Sequence, residues 1–380
     1  MKKINIVPTQ IPIKLVTMEY PPTRGGAGTY CDELAHATNE LSMDIEVLAP
    51  LGSHSVSSVK LIQLPFKGSQ GWICSLKIIK FLKKQSLEKI ALHIADPGSL
   101  RAMVRFGWAL PKPAQFIITI HGSEIPKFSR NPIERIFFRN LLRKADRIHI
   151  LSKYNQEKLT QFCPSLKYRI QLVPGAPARN TLPVSDPSEE RNYAKKKLVL
   201  LCVGRIHPRK GQLELLSSIG RLPDFLKQRI ECKFVGPATK QGYAKKVFEK
   251  SKSIGCKVEF LGDINCCELE KVYQLSDIFA LTSIPMHNSV EGFGFVYLEA
   301  SAHGLPILAH CTGGVEDAVL HQKTGLLSEP SKPEQLDANL STLMENQELR
   351  ESLGKAGKVW ATTNCWTKIA KKIYEFDKQL

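Results

Sequence analysis

The chain has 380 residues, 43% of them hydrophobic, and a net charge of +17. That length is enough for two domains with separate cores, since roughly 100–200 residues make one. The ten cysteines form no C-x-x-C pair and no histidines cluster beside them, which fits reduced, cytosolic thiols better than a zinc site or a disulfide framework. After Met1-Lys2-Lys3 the apolar run is broken by Pro8, Pro12 and Lys14, so it does not read as a signal peptide. No run of about 18 apolar residues occurs, and a soluble protein is expected. The charge is uneven: residues 1–182 hold 26 Lys/Arg and 12 Asp/Glu, a net +14, against 27 and 24, a net +3, in residues 183–380. A basic half attracts polyanions, whether nucleic acid or anionic lipid.

Short β-branched runs alternate with helical patterns through the first half. Strands are expected at 13–18, 45–48, 61–64, 90–94, 116–120 and 147–151, and helices starting near Thr29, Leu76, Ser99 and Pro132. Such alternation implies a parallel sheet covered on both faces. The stretch 177–197, with Pro183, Pro187 and mixed charges, breaks the pattern. Strands then resume at 198–203, 232–235, 258–261, 278–281 and 306–309, and a final helix is expected over 366–380 with Ile369, Ile373 and Phe376 on one side. The reading is α/β: a first Rossmann-like domain over 1–182, a linker over 183–197, a second over 198–357, and a tail over 358–380. Two doubly wound domains facing each other would bind ligands at the C-terminal ends of their strands.

Four segments carry chemistry. Pro21-Pro22-Thr23-Arg24-Gly25-Gly26-Ala27-Gly28-Thr29 joins the first strand to a helix, and its glycines permit close approach of a phosphate to a helix N-terminus. It is out of register for G-x-G-x-x-G. His121-Gly122-Ser123-Glu124 follows an apolar strand, which puts His121 at that strand's C-terminal end. Val203-Gly204-Arg205-Ile206-His207-Pro208-Arg209-Lys210-Gly211 opens the second domain, and Arg205 and Lys210 suit a diphosphate. It is not a Walker loop. Glu291-Gly292-Phe293-Gly294-Phe295-Val296-Tyr297-Leu298-Glu299 is the most specific: Gly292 and Gly294 present amides at a helix start, and Glu299 can accept from two ribose hydroxyls.

As a hydrolytic pair, Glu291 and Glu299 would stand roughly 12 Å apart along a helix axis, against roughly 5–9.5 Å in glycosidases. Asp-x-Asp, the usual cation-binding mark of metal-dependent sugar transferases, is absent. Arg205, Lys210 and a helix end would then neutralise a departing diphosphate without a metal.

These segments, in this order, resemble glycosyltransferase family 4, of GT-B fold. Trp366 and the last helix resemble the segment that returns to the N-terminal domain in that family, and Gly313-Gly314-Val315-Glu316-Asp317 completes the pattern. The runs Pro208–Gln212 and Val290–Ala300 look closest to bacterial phosphatidylinositol mannosyltransferases. The resemblance implies a retaining hexosyltransferase with GDP-mannose or a UDP-sugar as donor and a lipid or glycan as acceptor. It would have no cofactor, and would be cytoplasmic and peripheral at the inner membrane face. Arg205 and Lys210 would hold the diphosphate and Glu299 the ribose. Glu291, with Gly292, Phe293 and Gly294, would hold the sugar. His121 would contact the sugar near the reacting carbon, and Gly25 and Gly26 would line the donor–acceptor junction. Two departures stand out: Pro174-Gly175-Ala176-Pro177 replaces an Asn-Gly-Val-Asp turn, and residues 1–11 precede the usual start.

The basic half then gains a role. Lys77, Lys80, Lys83 and Lys84 lie beside Ile78, Ile79, Phe81 and Leu82, and Arg135, Arg139, Arg143 and Lys144 lie beside Ile136, Phe137, Leu141 and Leu142. Helices of this kind can cover a sheet with one face and rest on anionic lipid with the other. Two other readings are open to test. A nucleotide-sugar epimerase would turn over without an added acceptor. A nucleic-acid-binding protein predicts aromatic–basic stacking platforms, which are not found, so no nucleic-acid partner is expected.

Overall fold

The computed structural model describes residues 11–23, 25–55, 58–66, 71–182, 197–286 and 289–375. The chain divides into two units: Met1–Leu151, Asn155–Val173 and Trp366–Leu380 form the first, and Ser152–Tyr154 and Pro174–Cys365 the second. Of the expected features, Arg24, Phe376 and residues 183–196 of the linker lie outside the described residues. The first unit ends before residue 182, because the turn Arg179–Thr181 packs within the second, where Asn180 donates to the Cys266 sulfur at 3.3 Å. The return to the first unit starts at Trp366 rather than at 358. The helix Gln347–Thr363 runs on unbroken and packs closely on its own unit, where a Cβ at Gly354 would lie 2.1 Å from the Gly304 carbonyl.

The first unit holds a parallel sheet of β1 (Ile13–Val16), β2 (Ile45–Pro50), β3 (Lys60–Leu64), β4 (Ala91–Ile94), β5 (Gln115–Ile120), β6 (Arg147–Ile150) and β7 (Ile170–Leu172). Their spatial order is β3-β2-β1-β4-β5-β6-β7. The interior strands β4 and β5 are buried on nearly every residue, as expected where helices cover both faces of a parallel sheet. Strand β1 stops two residues short of expectation: the Thr17 hydroxyl donates to the Glu19 carbonyl at 2.8 Å and accepts from the Glu19 amide, turning the chain out of the ladder. Edge strand β7, with no residue fully buried, lacks the apolar signal and was not expected.

The second unit repeats the architecture with β8 (Leu198–Val203), β9 (Ile230–Val235), β10 (Lys257–Gly262), β11 (Ile278–Leu281), β12 (Ile307–His310) and β13 (Gly325–Ser328), in the order β10-β9-β8-β11-β12-β13. Each sheet reverses direction of winding once: between β1 and β4 in the first, and between β8 and β11 in the second. Those are the places where open α/β sheets bind ligands.

The helix starts follow local chemistry. Gly25 caps Gly26–Glu40, so that helix begins three residues ahead of Thr29, inside the glycine-rich loop. Pro97–Phe106 begins at a capping box: the Asp96 carboxylate accepts from the Ser99 amide at 2.9 Å and the Gly98 amide at 3.1 Å. Such a cap stabilises a helix by about 1 kcal/mol. Pro132–Lys144 starts at Pro132 as expected, behind an Asn131 cap.

A buried polar chain crosses the first unit. The Val173 carbonyl can only accept, so His149 donates to it through Nε2 at 3.0 Å. Its Nδ1 then accepts from the Tyr30 hydroxyl at 2.8 Å. Tyr30 in turn accepts from Thr119 at 2.9 Å, Thr119 from His93 Nε2 at 2.7 Å, and His93 Nδ1 from Tyr374 at 2.7 Å. Every donor has a distinct acceptor, with both imidazoles neutral. Burial pushes His93 well below the ordinary histidine range and His149 down to about 4. The unfolded chain therefore binds protons first, and stability is lost as pH falls from about 6.5 toward 4, by roughly 2 kcal/mol for His149 at pH 5. Denaturant titrations at pH 5 and 7.5 are expected to show this slope, and His149→Asn to flatten it. An unchanged slope in the variant would remove His149 as its source.

Candidate active site

In the second unit the site is built at the β8/β11 reversal. The loop after β8 folds against the end of β11 with no room for a side chain at Gly211. That residue has φ +69, and a Cβ there would lie 1.8 Å from the Thr282 carbonyl oxygen. The Thr282 hydroxyl donates to the Gly211 carbonyl at 2.7 Å, and the Ile284 amide to the Arg209 carbonyl at 2.9 Å. Gln212 reaches back to the Arg205 carbonyl at 3.0 Å, and the Arg209 amide donates to His207 Nδ1 at 3.2 Å. This frame turns Arg209 and Lys210 toward the segment after β11.

That segment carries Glu291, which lies on a loop, while Glu299 sits within the helix Phe295–Ala302 capped by Gly294. A second glycine pair supports the loop from behind. Cβ atoms at Gly313 and Gly314 would lie 2.2 Å from the Glu291 carbonyl oxygen and 2.0 Å from that of Gly292. The Gly314 amide donates to the Glu291 carbonyl at 2.8 Å. Phe293 is buried and meets Phe295 edge-on at 5.5 Å, so its side chain faces protein and its backbone is what a ligand could meet.

One oxygen of Glu291 takes three partners: Lys210 Nζ at 2.7 Å, Arg209 Nη1 at 2.9 Å and the Ser283 hydroxyl at 3.1 Å. Burial alone would raise this carboxyl, but the Lys210 and Arg209 charges outweigh it and hold Glu291 down at about 2. Lys210 is held below the ordinary lysine range, because burial and the neighbouring guanidiniums of Arg209 and Arg205 outweigh its single carboxylate. His207 is lowered too, by burial and then by Arg205, Arg209 and Lys240. Arg205 is exposed and makes no ion pair among the described residues. Arg209 and Lys210 thus share the one carboxylate while Arg205 adds its charge near Lys210, so three cations against one anion leave two positive charges over. A cluster of this sign, with one lysine already strained by its neighbours, is built to receive an anion.

Glu299 is a different carboxyl. It is buried, accepts from the Tyr273 hydroxyl at 3.2 Å, and has no cation beside it to offset desolvation, which raises it to about 7. Tyr273 stacks on His303 at 4.9 Å, which fixes the donating hydroxyl.

In the first unit, His121 follows β5 beside the β1/β4 reversal. Its Nε2 donates to the Ala95 carbonyl at 2.8 Å, so in the neutral ring Nδ1 is the acceptor. Glu124 clamps the turn, accepting from the His121 amide at 2.9 Å and the Gly122 amide at 2.7 Å. Tyr30, one turn into the helix capped by Gly25, meets the imidazole edge-on at 5.1 Å. The first unit therefore brings His121 together with the helix that Gly25 and Gly26 open. The second unit brings together Lys210, Glu291 and the 292–294 backbone.

Arg209, Ser283 and Tyr273 are not among the residues expected from the sequence. The signal for Arg209 is its charge beside Lys210. Ser283 and Tyr273 had no signal, because only the fold carries them to Glu291 and Glu299.

The chain matches known protein families along most of its length. Residues 24–176 match Glycosyltransferase Family 4, and residues 186–360 match Glycosyl transferases group 1. The chain belongs to these glycosyltransferases and is an enzyme of that class with the GT-B fold. Among its relatives is the GDP-mannose-dependent alpha-(1-6)-phosphatidylinositol monomannoside mannosyltransferase of Mycobacterium tuberculosis, 25% identical over 96% of this chain and 97% of that protein. The D-inositol 3-phosphate glycosyltransferase of Corynebacterium glutamicum is 27% identical over 77% of this chain and 72% of its own. Among solved structures, Anabaena Alr3699/HepE in complex with UDP and glucose superposes with TM-score 0.74 at 18% identity, covering 96% of this chain and 98% of that one.

Proposed function

We propose that the enzyme is a retaining hexosyltransferase that takes its sugar, mannose by preference, from a nucleoside diphosphate donor and delivers it to a lipid or glycan hydroxyl without a metal ion. The observation that carries this reading is the pairing of Arg209 and Lys210 on Glu291 with Arg205 adding its charge near Lys210, which leaves two positive charges in excess. A sugar diphosphate ester brings two negative charges. In the reaction the bond from the sugar's anomeric carbon to the diphosphate oxygen breaks. The acceptor oxygen bonds to the same carbon on the same face, and its proton passes to the departing diphosphate. Lys210 and the guanidiniums stabilise the charge that develops there. Glu291 and the amides of Gly292 and Gly294 hold sugar hydroxyls.

GDP-mannose is favoured because the mycobacterial relative is named for it and matches along nearly all of both chains. A peripheral place at the inner membrane face is supported by apolar side chains that stand out among cations. Trp72, Ile73 and Leu76 are exposed beside Lys77 and Lys80, and Ile133, Ile136 and Phe137 beside Arg135 and Arg143. Among the described residues no helix is long and apolar enough to cross a membrane. Transfer from GDP-mannose, UDP-glucose or ADP-glucose to lipid extracts, run in excess EDTA, tests the reading. Product from GDP-mannose at undiminished rate supports it. Loss of all transfer on chelation, or turnover without acceptor, overturns it.

Glu299 gives this reading a pH signature. Two ribose hydroxyls donate more strongly to a carboxylate than to the protonated acid, which keeps less acceptor capacity, so donor binding favours loss of the proton that Glu299 holds below about 7. Donor affinity is expected to fall by up to roughly tenfold for each pH unit below that value. Calorimetry at pH 6 in buffers of different ionisation heat is expected to detect proton release. Glu299→Gln is expected to abolish it, and release undiminished in the variant would place the proton elsewhere.

A further inference from the structure

Two thiols in the second unit stand apart from the rest. Cys232 lies in β9 and registers with Val258 of β10, and Cys256 precedes Val258 by two residues, so both sulfurs face the same side of the sheet. Their Sγ atoms are 3.9 Å apart. Cys232 is fully buried and Cys256 is partly open to solvent. The pair is thus asymmetric: one sulfur that a small reagent can reach, and one behind it that only its neighbour can reach. Gly255, with φ +81, turns the chain directly before Cys256 and sets that corner against Lys227. The contact with Cys232 holds the Cys256 thiol below its ordinary range, and Lys197 and Lys227 add to the effect. A low-lying, accessible thiol with a second sulfur behind it is the arrangement that oxidises first.

We propose that Cys232 and Cys256 form a peroxide-oxidisable dithiol, in which Cys256 attacks a hydroperoxide and Cys232 converts the product to a disulfide. In the first step the Cys256 thiolate attacks one peroxide oxygen, the O–O bond breaks, and sulfenic acid and hydroxide form. In the second the Cys232 sulfur displaces that oxygen, which leaves as water with the Cys232 proton. Two thiols lose two electrons and hydrogen peroxide becomes two waters. Cys256 sits at the entry to β10, whereas the Arg205–Lys210 loop follows the exit of β8, so the oxidation is expected to leave sugar transfer in place.

The test uses the full chain, treated with one equivalent of hydrogen peroxide, alkylated under denaturing conditions and mapped by peptide mass spectrometry. The expected result is a Cys232–Cys256 disulfide, two of the ten free thiols lost, and recovery with dithiothreitol. Cys256→Ser is expected to lose no thiol at this dose. Cys232→Ala is expected to accumulate a dimedone-reactive sulfenic acid on Cys256. Consumption of the exposed Cys267 and Cys365 ahead of Cys256, or overoxidation of Cys256 with Cys232 still reduced, would overturn the proposal. Should Cys232→Ala not fold, the wild-type map and Cys256→Ser decide it.

Discussion

Replacing Lys210 with alanine is expected to lower sugar transfer by about 10²–10³-fold, the size of effect seen when one preorganised group is removed from a developing charge. Its ammonium is 2.7 Å from Glu291 and lies in a buried slot beside Arg209, so no nearby surface lysine can take its place. The loss should fall mainly on turnover, because the charge it meets grows as the diphosphate departs. Lys210→Arg should recover only part of the rate, since a planar guanidinium does not fit a slot shaped for an ammonium. As a control, Arg221→Ala breaks a bidentate surface pair with Asp337 at 2.6 and 2.8 Å, away from the site, and should leave turnover unchanged. Initial rates at saturating donor, with thermal midpoints to confirm folding, check all three. Lys210→Ala with wild-type turnover would remove the assignment.

Glu291→Gln separates binding from chemistry. The carboxylate is the internal competitor for the cations, so its loss should make a bare nucleoside diphosphate bind about tenfold tighter, roughly 1.4 kcal/mol. Transfer should nevertheless fall by about 10²-fold, because the amide cannot hold the sugar's hydroxyls with a charged acceptor. Calorimetric titration with GDP and UDP, beside initial rates with their mannose and glucose esters, reads both effects. Weaker nucleotide binding would show instead that Glu291 mainly keeps Arg209 and Lys210 in place. Because Glu291 is held at about 2, it stays charged through the working range, and no acid limb near pH 4–5 should arise from it.

The sequence makes the interior strands plain and the margins obscure, for a physical reason. Strand β11 is buried on every residue and reads as an unbroken apolar run. Edge strand β7 is only half-buried, and β13 opens on a glycine; neither stood out. Glu291, His121 and Lys210 could be picked out because Gly292, Gly122 and Gly211 adjoin them, and backbone that must turn or approach closely is written in residue type; Glu299 could be picked out by its spacing from Glu291. The partners were hidden because only folding brings them close: Ser283 lies eight residues before Glu291 on the same loop, and Tyr273 lies 26 before Glu299 in a different helix. The two carboxylates look alike in sequence and differ by about five pH units in the fold, from about 2 to about 7. Only the fold decides which has cations beside it.

The polar chain from Tyr374 to Val173 also sets an order of events during synthesis. Every strand of the first sheet has been made once Leu172 leaves the ribosome. The helix Trp366–Tyr374, which supplies the hydroxyl for His93, emerges only after the whole second unit. Until then the His93 end of the chain has no donor, and the surface that Trp366, Ile369 and Ile373 will cover stays open. The first unit to be made is therefore the last to be finished. The nascent enzyme carries an incomplete first unit through the entire translation of its second.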